Sequence, residues 1–145
     1  MGDKIIDKQD LLNKLSDFFR KRQNVVMAFL FGSIAKNRDS AKSDIDIALY
    51  LTEEGRSIER PIEIEIERLL KKEVDIVYLN RAPSIICWEA IREGIPIIIR
   101  DRLFFIDFML EVSRDALDFV DFNLDAFRRK NEIRKIRSRT SSENS

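Results

Sequence analysis

Between Asp7 and about Arg22 the apolar residues Leu11, Leu12, Leu15, Phe18 and Phe19 recur at helical spacing, and Asp7 stands where a helix start wants a side-chain cap. The period then breaks at VVMAFLF, residues 25–31. This run is apolar on both faces and rich in β-branched and aromatic residues, which predicts a central strand. Gly32-Ser33 stops it, IAKNRD allows a turn of helix, and DSAKS is a polar loop. DIDIALY, residues 44–50, alternates and predicts a second strand. After the loop TEEGRS, residues 58–72 predict a helix with Ile62, Ile66, Leu69 and Leu70 inward and Pro61 in its first turn. VDIVYL, residues 74–79, predicts a third strand. Ser84 is a plausible cap for the helix IICWEAIREG, with Gly94 as its stop, and IPIIIR predicts a short strand in which Pro96 belongs at the start or on an edge.

This order describes an α/β fold with a small mixed sheet flanked by helices, in which a link too short for a parallel crossover makes the first two strands antiparallel. A chain of 145 residues fits one domain. The expected organisation is a single domain over residues 1–137, helical from about residue 103, followed by a disordered tail over 138–145. In that helical region Phe104, Phe105, Phe108, Phe119, Phe122 and Phe127 are more aromatic residues than one stripe readily hides. They predict a helical surface for a protein partner, with self-association also compatible.

Composition narrows the chemistry. Lys and Arg number 26 and Asp and Glu 26, so the net charge provides no general attraction to nucleic acid or an anionic membrane. The balance is local, however: residues 128–145 hold seven Lys or Arg against Glu132 and Glu143, a basic run that also allows a direct nucleic-acid contact. Cys87 is the only cysteine, which removes intramolecular disulfides and suggests a reducing compartment. The longest apolar runs are strand-sized and the N-terminal stretch lacks a signal-peptide core, so a cytoplasmic location without membrane insertion is expected. Histidine is absent, which excludes zincins, Ser-His hydrolases and His-dependent nucleases and leaves acid-base and metal chemistry to carboxylates.

Carboxylates are available in a telling pattern. Strand alternation puts Asp44 and Asp46 on one face. Keeping both ionised in a half-buried setting costs several kcal/mol unless a cation neutralises them. Mg²⁺ takes such hard oxygen ligands and completes its shell with substrate phosphates. Asp75, second in VDIVYL, can bring a third carboxylate from a neighbouring strand, and two ions roughly 4 Å apart could then activate a hydroxyl and stabilise a leaving phosphate. Gly32 and Ser33 supply a turn whose amides and hydroxyl suit an anion, with Lys36, Arg38 and Ser43 close in sequence to hold further phosphate. Each feature alone has a plain reading: strand aspartates can simply face solvent, and Gly-Ser is a common turn. Their order unites them into one geometrically consistent nucleotide site.

The run GSIAKNRDSAKSDIDIALY, residues 32–50, resembles the signature of the polymerase-β-like nucleotidyltransferases, an apolar residue and G[GS] followed downstream by Dh[DE]h, where h is apolar. It is especially similar to the minimal single-domain members, whose motif often reads GSxARG with SDxD. Lys36 stands where those members often have Arg, and Asn37 where they have Gly. The resemblance implies that Gly32 and Ser33 hold nucleotide phosphates, that Asp44, Asp46 and Asp75 bind the metal ions, and that Asp75 promotes deprotonation of the acceptor hydroxyl. It implies ATP as substrate and Mg²⁺ as cofactor. Minimal nucleotidyltransferases are typically paired with helical HEPN proteins as antitoxin and RNase toxin. The resemblance therefore implies an antitoxin that transfers AMP from ATP to a tyrosine of the HEPN toxin, docked through its C-terminal helices. Two rivals stand beside it: a nucleotidyltransferase acting on a small hydroxyl compound or a nucleic-acid end, and an antitoxin that neutralises by binding alone.

Overall fold

The computed structural model describes residues 7–32 and 45–118. Helix α1 spans Lys8–Arg20. The Asp7 carboxylate accepts from the amides of Gln9 at 3.0 Å and Asp10 at 3.5 Å, satisfying donors that a helix start otherwise leaves unpaired. At the other end the Arg100 guanidinium donates to the carbonyls of Val25, Phe19, Arg20 and Arg22, placing positive charge where the helix dipole is negative.

Among the described residues four strands follow: β1 (Val25–Phe31), β2 (Ile45–Leu51), β3 (Val74–Tyr78) and β4 (Ile95–Ile99), in the sheet order β3-β2-β1-β4. Strand β1 runs antiparallel to both β2 and β4, whereas β2 and β3 are parallel. The parallel pair is bridged by helix α2 (Arg56–Leu70), the crossover that parallel neighbours require. The mixed sheet and its antiparallel first pair are those the sequence predicts, and Pro96 lies on the edge strand β4, where its missing amide is tolerated.

The sheet separates two apolar layers. Ile45, Ile47, Leu49 and Leu51 of β2 join Leu11, Leu15 and Phe19 of α1 and Ile62 and Ile66 of α2. On the opposite face Met27, Phe29 and Ala48 pack with Cys87 and Ala90 of helix α3 (Ser84–Glu93), and with Val112, Phe104, Phe105 and Phe108 of helix α4, which occupies residues 102–118. Asp101 caps α4 by accepting from the Phe104 amide at 3.0 Å. A register shift between Val25 and Met27 changes the alternation of β1, so Val25 and Ala28 share one layer while Met27 and Phe29 share the other.

Three local expectations are revised. Helix α2 begins at Arg56 rather than 58, so Pro61 sits in the second turn; both Pro61 and Ser57, whose carbonyl an amide at 61 would have bonded, are exposed, so that carbonyl can turn to water. Ser84 does not cap α3. Pro83 holds the cap position, and the Ser84 hydroxyl donates instead to Asp115 of α4 at 3.3 Å. The aromatic residues Phe104, Phe105 and Phe108 turn toward the sheet, where Tyr50 meets the Phe104 ring at 4.8 Å and the Phe108 ring at 5.4 Å. Phe119, Phe122, Phe127 and the basic run lie outside the described residues.

Candidate active site

The face carrying Ala48 and Tyr50 also carries Asp46, two residues before Ala48 on β2. On β3, Val74, Ile76 and Tyr78 belong to the opposite layer, so Asp75 and Val77 point to the same side as Asp46. The parallel register sets Asp46 directly opposite Asp75. Two carboxylates from separate strands are thus brought side by side at the start of both strands. Asp75 is exposed and Asp46 half-buried.

Phe31, at the end of β1, stands opposite Asp46 from the other side, and Gly32 follows it. Gly32 has φ 80°, a left-handed conformation natural to glycine, and a Cβ there would lie 2.9 Å from Asp46 Cγ and overlap its Oδ2. Glycine is therefore required both by the backbone and by the carboxylate beside it. The chain leaves β1 directly against Asp46, which puts any anion held at this turn next to any cation held by the aspartates. Helix α3 contributes Glu89 and Glu93, which with Phe31 and Gly32 line a hollow of about 120 Å³. Their spacing of four residues was visible in WEAIRE, but nothing in the sequence distinguishes it from an ordinary solvated helix face.

The sequence-predicted set divides as follows. Gly32, Asp46 and Asp75 come together; Ser33, Lys36, Ser43 and Asp44 lie outside the described residues. Among the described residues no group of three carboxylates, cysteines or histidines converges on a metal, the expected third ligand Asp44 being beyond them. The donors present fit Mg²⁺. They are hard carboxylate oxygens on rigid strands, and Gly32 puts no side chain of its own over the Asp46 carboxylate.

A thiol contributes nothing here. Burial pushes Cys87 up to about 11, and its Sγ lies 3.5 Å from the Ala82 carbonyl and 3.7 Å from that of Leu79, so it is a protonated packing group. The opposite ends of β2 and β3 carry a polar network. Glu59 of α2 accepts two 2.8 Å bonds from Arg81 and one of 3.0 Å from the Gly55 amide. Tyr78 donates to Glu63 at 2.6 Å, and burial together with that bond pushes its hydroxyl well above the ordinary tyrosine range. The Asn80 side chain bonds both the amide and the carbonyl of Leu51, at 2.9 and 2.8 Å, extending the strand ladder beyond β3.

A strand-ending glycine turn thus lies against aspartates paired on adjacent strands of a mixed sheet. The sequence profile of Polymerase beta, Nucleotidyltransferase matches residues 13–103, and the chain belongs to that family. No curated protein matches the chain. Among solved structures its fold is similar to that of a chain in a toxin-antitoxin with AMP-PNP, at 18% identity over 81% of this chain and 95% of that one, with a TM-score of 0.68. It is also similar to a chain in the structure of the tri-AMPylated Shewanella oneidensis HEPN toxin in complex with MNT antitoxin, at 18% identity over 84% and 97%, TM-score 0.65. A chain of the toxin-antitoxin MntA-HepT matches at 18% identity over 83% and 96%, TM-score 0.63. Among the described residues no helix is long and apolar enough to cross a membrane.

Proposed function

We propose that this chain is the antitoxin of a HEPN/MNT pair and neutralises a HEPN-type RNase toxin by transferring AMP from ATP to a toxin tyrosine. The observation that carries the reading is the Asp46–Asp75 pair set against Gly32 on a nucleotidyltransferase fold. The similarity to chains from toxin-antitoxin structures, one with AMP-PNP and one with a tri-AMPylated HEPN toxin, supports the choice of acceptor.

Asp44, Asp46 and Asp75 would hold two Mg²⁺ ions. When bound, the metal supplies charge neutralisation for the phosphates and lowers the pKa of the attacking hydroxyl. Gly32 and Ser33 hold the nucleotide phosphates, with Lys36 and Ser43 adding donors. Asp75 accepts the tyrosine proton as the phenolic oxygen bonds to the α-phosphorus; the bond from that phosphorus to the bridging oxygen breaks, and pyrophosphate leaves with the electron pair. Positioning and charge stabilisation account for the acceleration. The C-terminal helical region, from about residue 103, docks the toxin, and a reducing cytoplasm suits the lone buried thiol.

Intact-mass analysis of a HEPN-type toxin co-expressed with this chain, after incubation with ATP and Mg²⁺, tests the reading. One or more added AMP masses are expected with the wild type and none with Asp46→Asn/Asp75→Asn. A tight but unmodified pair would overturn transfer in favour of neutralisation by binding. Modification of a small hydroxyl compound or a nucleic-acid end without the partner would overturn the choice of acceptor.

A further inference from the structure

Helix α4 is apolar on two sides. Phe104, Phe105, Phe108 and Val112 pack on the sheet. Leu103, Ile106, Leu110 and Leu117 are 75%, 42%, 52% and 53% exposed. At about 100° per residue these four fall within an arc of about 60°, so they form a continuous stripe and not scattered surface residues. Their spacing of three, four and seven residues is that of a helix seam that meets another helix. A stripe of this kind on an otherwise charged surface marks an interface.

The neighbouring arc states what kind of partner. Asp107, Asp118 and Glu111 follow the apolar stripe along α4, all exposed, with Arg114 at the border between the two, and Asp115 lies further round, where it accepts from Ser84. We propose that this face is the seat of a helix of the HEPN partner that carries its own apolar stripe flanked by Lys or Arg. The proposal rests on the antitoxin reading and adds the docking face and the chemistry of its occupant. A second copy of the chain fits less well. An antiparallel two-fold pair of α4 helices sets each flank against the same flank of its mate, which opposes one acidic row to another. Nucleic acid is disfavoured by the same row. A basic amphipathic helix meets both demands, burying the stripe and neutralising the carboxylates.

The test uses the full chain and a co-expressed HEPN-type toxin, with Leu110→Glu/Leu117→Glu and, separately, the charge reversal Asp107→Lys/Glu111→Lys. All four positions are exposed, and thermal melts check that the variants remain folded. Titration calorimetry should show at least 100-fold weaker partner binding for the stripe variant and at least tenfold for the reversal. MgATP affinity should stay within twofold in both. Partner binding within threefold of wild type in either variant overturns the docking face, and if AMP transfer also persists the antitoxin reading stands without it. A wild-type chain that binds the partner through this stripe yet never modifies it overturns the transfer reading and leaves the docking face standing. A chain that fails to bind the partner but sediments alone as a dimer, dissociated by the stripe variant, assigns the face to self-association and overturns the proposal.

Discussion

Replacing either half of the Glu59–Arg81 pair should destabilise the protein, but unequally, and both deficits should shrink in acid. Glu59 is 1% exposed, whereas the Arg81 side chain is 49% exposed. Both Arg81 bonds to the carboxylate are 2.8 Å, and the Gly55 amide adds a third at 3.0 Å. The Arg81 guanidinium, opposed by burial and helped by the Gly55 amide, holds the Glu59 carboxyl at about 2, down from 4.5. A depressed carboxyl contributes stability that is fully present above its unfolded value near 4.5 and is lost as pH falls toward 2. The shift corresponds to about 3 kcal/mol, reduced to about 2 kcal/mol because water screens the exposed end of Arg81. Glu59→Gln should therefore cost about 2 kcal/mol at neutral pH, since Arg81 can turn to water and to Glu54, 3.7 Å away. Arg81→Met should cost more, about 3 kcal/mol, because it strands a buried carboxylate with the Gly55 amide and Arg56 at 3.6 Å. Acid lessens both deficits, that of Arg81→Met from a higher pH, because a buried carboxyl without its guanidinium takes up a proton sooner. Protonation of Glu59 relieves the Arg81→Met variant, so its deficit should shrink between pH 7 and pH 3, and the double variant should lose less than the sum of the singles. Urea unfolding followed by circular dichroism at pH 7, 4.5 and 3 reads all of this. The reasoning fails if Arg81→Met is the milder change at pH 7, or if its deficit does not respond to acid.

Gly32→Ala should lower AMP transfer at least tenfold and stability by about 1–2 kcal/mol, because alanine must adopt φ 80° and its Cβ displaces the Asp46 carboxylate; single-turnover transfer and a thermal melt check the two effects separately. Arg100→Met removes the guanidinium that closes the end of α1 and should cost about 1–2 kcal/mol, with hydrogen exchange accelerated first at the amides nearest Arg20. Lys71 ends α2 in a left-handed conformation at φ 53°, so Lys71→Gly should raise the denaturation midpoint, by about 0.5–1 kcal/mol in free energy, without changing the unfolding slope.

Much of the layout was legible because hydrophobic period distinguishes its parts. VVMAFLF is apolar on both faces and became the strand paired on both sides, while the short link after it forced an antiparallel return. The candidate site was legible for a related reason: aspartate is depleted inside strands, so a pair at alternate positions stands out beside a strand-ending glycine. Glu59 did not stand out. In RSIERPIEIEIERLL it is one glutamate among several, and only the fold brings Arg81, from beyond β3, onto it. The start of α2 was missed with it, since Gly55 is held in place by the Glu59 side chain and not by a cap of its own. The aromatic residues misled for a geometric reason. Counting phenylalanines in a helix does not apportion them between faces, and the described ones turned inward and left Leu103, Ile106, Leu110 and Leu117 outside.

The alignment of the two aspartates depends on contacts at the far end of their strands. Side chains on a strand alternate, so a slip of β3 by one residue against β2 would send Asp75 to the α2 layer and put an apolar residue opposite Asp46. Apolar burial opposes such a slip through Ile76 and Tyr78, but Asp75 itself is exposed and contributes little toward its own placement. The register is pinned instead where the strands end. Asn80 takes both polar groups of Leu51, and Arg81, the next residue, is clamped by Glu59 at the opening of the crossover helix. Tyr78 adds a third tie through Glu63. These bonds specify one pairing among several that an apolar sheet would tolerate. The network at one end of the sheet therefore performs a positioning role, setting the register that holds two like charges side by side at the other end.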